Sequence, residues 1–283
     1  MTFNDTNLPI HAIQQMQVSS YVHVANAALL TLDWFLLLDK EVKYTWGGPW
    51  TIGNCLFFLI RYGAFVDAGL FLYQYLSPTP SFHTCFHLFE AIGALLIFGM
   101  IVVEGTMTLR VWAMWGKDNK VGGFLFASFG LCGVLATFFF VMSLKNYNGI
   151  DNSSKVVTGC FQTGIPRLLA GSLGAMIFHQ TLIFFMTLLK CIRNSVGTSS
   201  FIRIFYLQGV VYYVLLQVLS AVNITAVIIG LGVEYLTLIL SIQRVIQSVL
   251  CVRMLLHIRE ISEMHTIDTW TPVPSAASLF DLP

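Results

Sequence analysis

Residues 121–143 read VGGFLFASFGLCGVLATFFFVMS, a run without one charged side chain. A helix that crosses about 30 Å of hydrocarbon needs roughly 20 apolar residues, and this run supplies them. Six comparable stretches lie outward from it, at 18–39, 51–76, 85–109, 168–189, 204–229 and 233–256. They are too long and too continuously apolar for the weak alternation of barrel strands. In lipid, a helix alone satisfies its backbone groups within the segment. The expected fold class is therefore all-α, an integral membrane bundle of seven transmembrane helices. Only the region of Gly230 and Gly232 separates the last two stretches, so a single long broken segment is the alternative there.

Composition agrees. The chain has 283 residues, 56% hydrophobic and only 10% charged, with a mean hydropathy of +0.75. A soluble domain carries about 25% charged residues. Even a well-packed domain of about 300 residues leaves about a quarter of its unfolded surface in water. These values exclude disorder, a disulfide scaffold and an ordinary cytosolic enzyme. The 15 Lys and Arg are balanced by 14 Asp and Glu, so no basic excess exists to neutralise phosphates of a nucleic acid. The partner implied at this level is the lipid bilayer.

Lys and Arg near a span resist translocation, which sets orientation. The loops after the first, third and fifth spans and the tail after the seventh hold Lys40, Lys43, Arg110, Lys117, Lys120, Lys190, Arg193, Arg203, Arg253 and Arg259. The other side holds Lys145, Lys155 and Arg167. The N-terminus is expected outside and the C-terminus in the cytoplasm, most simply of the plasma membrane. Residues 1–17 form an extracellular tail without Lys or Arg and without a signal-peptide pattern. Residues 18–264 form the helical domain, and 265–283 a flexible cytoplasmic tail. Sequons at Asn4 and Asn152 fall on the outer side and are the glycosylation candidates. A third, at Asn223, lies inside a span.

Six cysteines occur. Cys85 opens the third span at its outer end and Cys160 lies in the long outer loop, both where disulfides persist. A Cys85–Cys160 bridge would tie that loop across the third helix, and such a pairing resembles the bridge of G-protein-coupled receptors. The alternative is two unpaired thiols. Cys191 and Cys251, near inner span ends, are sites for palmitoylation or plain packing. Cys55 and Cys132 read as packing residues.

Ionisable groups inside the bilayer cost about 2.5–3.5 kcal/mol or more and are expected to face protein or water. At 1.5 Å per residue, Arg61 and Arg244 fall near the midplane and Asp33 in the inner half. Asp67 and Glu90 lie just below the outer surface and Glu104 close to the inner edge. Asp33 and Asp67 are the expected anions for Arg61. Asp67 and Glu90 at matching depth would line an outward pocket, with Gln208, Gln217 and Asn223 adding polar groups. The reading stays double: a ligand cavity or ion path, or interhelical pairs that hold the bundle.

The densest local pattern is LLTLDWFLLLDKEVKYTWGGPWTIGNCLFFLIRY at 29–62. Asp39, Lys40, Glu41 and Lys43 make a mixed-charge turn at the cytoplasmic membrane edge, and Trp34, Trp46 and Trp50 suit the interface. This stretch resembles the N-terminal domain of unknown function of multi-span membrane proteins in basidiomycete fungi. The likeness continues weakly at Leu109-Arg110-Val111-Trp112-Ala113-Met114-Trp115. The resemblance implies a fungal source and a seven-helix body, and it carries no catalytic residues. The structural alternative is a hairpin that merely fixes the first two helices.

Enzyme signatures are thin. The seventh span offers no Lys for a retinal Schiff base, and Arg244 stays protonated. The third span ends in EGTMTLR and the seventh lacks NPxxY, which argues against G-protein coupling. His83 and His87 share a helix face, and His23 lies at similar depth; a zinc-dependent lipid hydrolase built on them is the third reading, without the second shell a metal needs. His179 reads as a hydrogen-bonded packing residue. No P-loop, GxSxG or HExxH occurs, and no cofactor or metal is expected. The leading expectation is a non-enzymatic, receptor-like sensor of a small-molecule or lipid ligand, with a cytoplasmic coupling surface for a signalling partner at Arg110–Lys120 and Lys190–Arg203. A carrier or channel using Asp33, Arg61 and Arg244 is the alternative.

Overall fold

The computed structural model describes residues 8–47, 51–77, 82–145, 168–194, 200–229 and 233–268. Every element among them is helical: α1 (Leu8–Glu41), a π-helical turn (Val42–Trp46), α2 (Ile52–Leu76), α3 (Phe82–Met114), α4 (Asn119–Lys145), α5 (Leu169–Asn194), α6 (Ser200–Ile229) and α7 (Val233–Asp268). These helices contain seven segments long and apolar enough to cross a bilayer. The last two are separate antiparallel helices, so the broken-segment alternative falls. The helix of the first span begins at Leu8 rather than residue 18, and that of the seventh reaches Asp268. Both expected tails are thus partly helical. Residues 1–7 and 269–283, with Asn4, Asn152 and Cys160, lie outside the described residues.

Local chemistry sets the boundaries. Thr51 caps α2, its hydroxyl accepting from the Asn54 N–H at 3.4 Å. Gly116 and Lys117 take left-handed backbone at φ 73° and 58°, which stops α3. The Asp118 carboxylate then accepts from the Lys120 N–H at 2.8 Å, opening α4.

Consecutive helices pack side by side, and α7 returns to α1 to close a ring. α3 also reaches α5 and α7, and α7 also reaches α2. Half of the apolar window of α7 is buried, against 17% for α1, so α7 is the inner helix and α1 lies outside. The main apolar core gathers Phe57, Ile60, Met107, Leu125, Ile183 and Leu255. The outside is as greasy as the inside: Leu36, Leu131, Phe178 and Ile228 are each more than half exposed. The polar groups are largely turned inward, including Asp33, Arg61, Asp67, Glu104, Gln243 and Arg244. That inversion suits lipid as the surrounding solvent, since apolar faces need no cover there and polar groups must find partners within the bundle.

Candidate functional site

Two polar assemblies occupy the interior, and the first is local in sequence. The π-helical turn changes the repeat from i+4 to i+5, which carries Trp46 back over Glu41. Glu41 is fully buried. One of its carboxylate oxygens accepts from the Tyr62 hydroxyl at 2.8 Å and the Trp46 indole N–H at 3.1 Å. The other meets Arg61 Nε at 2.8 Å. Arg61 Nη2 also donates to the Trp34 carbonyl at 3.0 Å.

This arrangement corrects two expectations. Glu41 is not part of an exposed charged turn, whereas Asp39, Lys40 and Lys43 are exposed. Nor does Arg61 pair with Asp33 or Asp67. Counting depth along α2 placed its backbone near midplane, but a long guanidinium side chain reaches well away from its own Cα, here to the end of α1.

The second assembly is built around residues 241–248 of α7. Arg244 Nε donates to Asp67 on α2 at 2.8 Å, and both side chains are buried. The guanidinium lies against α3 at Gly99, where any Cβ would overlap it, and near Gly63 on α2. Asn26 on α1 donates to the Ser241 hydroxyl at 3.1 Å. Ser248 donates to the Ile60 carbonyl at 3.1 Å. Toward α6, Gln243 donates to Ser220 at 2.9 Å and accepts from Asn223. Ser220 donates to Gln180 at 2.7 Å, and Gln180 donates to Glu104 at 2.6 Å. His179 Nδ1 stands 3.2 Å from the other Glu104 oxygen. The chain of bonds thus passes through α7, α6, α5 and α3. His179 is hydrogen-bonded in the packed interior, as expected. Glu104 is engaged with groups midway along α5.

Beyond these assemblies, α7 is tied back to α1 and the π turn. Asp33 accepts from Arg253, with the closest contact at 2.7 Å. Arg259 donates to the Thr45 hydroxyl at 2.8 Å and the Tyr44 carbonyl at 3.2 Å. Lys40 pairs with Glu260 at 2.8 Å. The expected network of Asp33, Arg61, Glu104 and Arg244 is therefore distributed among different partners.

The ligand candidates with described side chains also have separate partners. Asp67 is bound to Arg244, while Glu90 is half-exposed and 3.4 Å from His87 on its own helix. Gln217 donates to Thr181 at 2.7 Å, and the Gln208 side chain lies outside the described residues.

Of the coupling-surface residues, Lys117, Lys120 and Arg193 are exposed, and Lys190 lies 5.3 Å from the Trp115 ring. Arg110 is buried and donates to the Met254 sulfur, which removes it from that surface. The Arg203 side chain lies outside the described residues. His23 is stacked on Phe71 and Tyr75, and the His83 side chain is not described. Among the described residues no three His, Cys, Asp or Glu side chains come together as a metal ion would need. Cys55, Cys132, Cys191 and Cys251 are free thiols; buried Cys85 is not one of that group.

Sequence reasoning missed Glu41 as the anion of Arg61, and it missed the polar stripe of α7. The stripe had a signal: SIQRVIQS at 241–248 places five polar side chains within eight residues of an apolar span. No curated protein and no solved structure matches the chain. Residues 21–66, which hold α1 from Tyr21, the π turn and α2 as far as Val66, match the model of DUF6533, a family of unknown function.

Proposed function

We propose that this protein is a non-enzymatic, receptor-like sensor in the plasma membrane of a fungal cell, with its N-terminus outside and its C-terminus in the cytoplasm. The observation that carries this reading is the pairing of interior charge. Buried Arg61 has Glu41, buried Arg244 has Asp67, and exposed Arg253 covers buried Asp33, each within 2.8 Å. Two of these cations belong to α7, the inner helix. Charges bound one to one hold a bundle closed and leave it poised to move when a ligand competes for one partner. The exposed basic groups at Lys117, Lys120 and Arg193 supply the face for a cytoplasmic partner. A Cys85–Cys160 bridge and glycans at Asn4 and Asn152 complete the outer side in this reading.

The test has two arms. Spin labels at Lys120 and Glu260 report the position of α7, and Arg244→Gln is expected to shift their distance distribution. Proteoliposomes of the wild type are expected to pass no proton, sodium or potassium current. A current that Arg61→Gln abolishes would overturn the sensor and establish a carrier. The hydrogen-bond chain from Asn223 to Glu104 is the observation that favours that second reading. Stoichiometric zinc in purified protein would overturn the non-enzymatic part. A terminal-tag protection assay placing both ends on one face would overturn the orientation.

A further inference from the structure

A small cleft opens beside the Asp67–Arg244 pair, between α1, α2 and α7. It spans about 250 Å³, the open space at its mouth included. Half-buried Asn26 and Ala68 stand at its edge, and buried Ala64 and Phe71 form apolar wall. Two of its lining residues carry a buried polar atom without a hydrogen-bond partner: His23 at Nε2 and Arg244 at Nη1. The residues carrying them are 2% and 3% exposed. His23 is held in place by stacking on Phe71 and Tyr75, with ring centroids 4.7 and 4.5 Å away.

Buried polar atoms in proteins are nearly always satisfied, and one left without a partner costs about 1–3 kcal/mol. Two such atoms at one cleft define what an occupant must offer. Arg244 Nη1 is only a donor, so the occupant must accept. His23 Nε2 donates or accepts according to tautomer. A hydroxyl oxygen meets both cases, because it accepts and donates at once. Charge narrows the choice further. Arg244 and Asp67 already cancel, so an ionised head would leave one charge unbalanced inside the membrane, which costs several kcal/mol. The apolar walls and the lipid-facing surroundings suit a hydrocarbon body outside the polar floor.

We propose that this cleft binds the hydroxyl head of a neutral membrane amphiphile, inserted from the bilayer between α1 and α2. The idea rests on the sensor reading for its purpose, but its test reads binding and not movement. Full-length protein in phosphatidylcholine nanodiscs is irradiated with a hexadecanol analogue that carries a diazirine close to the hydroxyl and a terminal alkyne. Label is expected on peptides around His23, Ala68 and Arg244, displaced by hexadecanol but not by hexadecane or ionised hexadecanoate. His23→Phe keeps the ring stack and removes the nitrogen; labelling is expected to fall about fivefold, as for one lost hydrogen bond. Ala68→Phe narrows the mouth at a half-buried position and is expected to do the same, which preserves the test if His23→Phe fails to fold.

Label retained in a folded variant of either kind, or displaced equally by hexadecane, overturns the proposal in favour of ordinary annular lipid. No label at the cleft overturns it in favour of water alone. Displacement by hexadecanoate as strong as by the alcohol overturns the neutral head. Specific labelling, together with spin-label distances that Arg244→Gln leaves unchanged, leaves this site standing and overturns the sensor.

Discussion

The Glu41 cluster and the Arg244 seat solve the same problem by different routes. Each buries an arginine against a carboxylate at 2.8 Å. The first draws its partners from residues 34–62 of one helical hairpin, within the family-matched stretch. The second needs Asp67 from α2, open space at Gly99 on α3 and a long polar stripe on α7. The contrast separates two jobs. The first cluster locks a hairpin to itself with groups that the hairpin carries. The second locks the hairpin to α7, and its seat needs α3 as well. A matched segment that carried only the first lock would still offer α7 the Asn26, Asp33, Thr45 and Ile60 contacts seen here.

The comparison is broken most strongly at Glu41. Glu41→Ala leaves Arg61 buried without its anion, and breaking a buried pair on one side costs roughly 3–5 kcal/mol. Fluorescence-detected size exclusion is expected to show little monodisperse protein. The double variant Glu41→Gln with Arg61→Met is expected to recover most of it, because the unpaired charge has gone. A double variant no better than Glu41→Ala alone would show that the cluster does more than hold charge.

A smaller effect is expected at Gly99. A Cβ there must displace the Arg244 guanidinium from its seat, and overpacking of this kind costs about 1–3 kcal/mol. Gly99→Ala is expected to lower the thermal midpoint in detergent, and to do so much less in an Arg244→Met background. Equal losses in both backgrounds would mean that the guanidinium is not what the glycine accommodates.

Smaller still is Gln243→Leu, which cuts the hydrogen-bond chain to Ser220 and Asn223. Interhelical hydrogen bonds in membranes average about 0.6 kcal/mol, so a modest fall in unfolding free energy by steric trapping is expected. A loss above about 2 kcal/mol would show a cooperative network instead. The least effect is expected from Lys40→Ala. Its pair with Glu260 is half-exposed, and such pairs contribute about 0–1 kcal/mol. A large loss there would move the α1–α7 clasp from the interior to the membrane edge.

Legibility followed distance along the chain. Trp34, Glu41, Trp46, Arg61 and Tyr62 sit within one short motif, and the motif is recognisable in the sequence even though Glu41 reads there as one charge of a turn and not as a buried anion. A periodic count gives a residue's height in a helix but not the direction of its side chain. Arg61 illustrates this, since its guanidinium reaches Glu41 and the Trp34 carbonyl and not Asp33 or Asp67. Asp67 and Arg244 were both recognised as costly interior charges, yet nothing between positions 67 and 244 indicates that they meet. Asp67 and Glu90, expected to line one pocket, likewise have different partners, Arg244 and His87. Similar depth on adjacent helices does not make two carboxylates face each other, and Glu90 stands beside His87 near the start of α3.

What the amino-acid order determined by itself was the solvent and the elements. Runs of apolar residues long enough for a bilayer admit only helices, because backbone groups in lipid have no partner except their own chain. What the tertiary structure alone decided was which helix became the centre and which charges share a partner. Those outcomes depend on how seven rods rotate about their axes. In lipid the apolar faces are nearly indifferent to that rotation, so it is set by the few polar side chains that must find one another inside the ring.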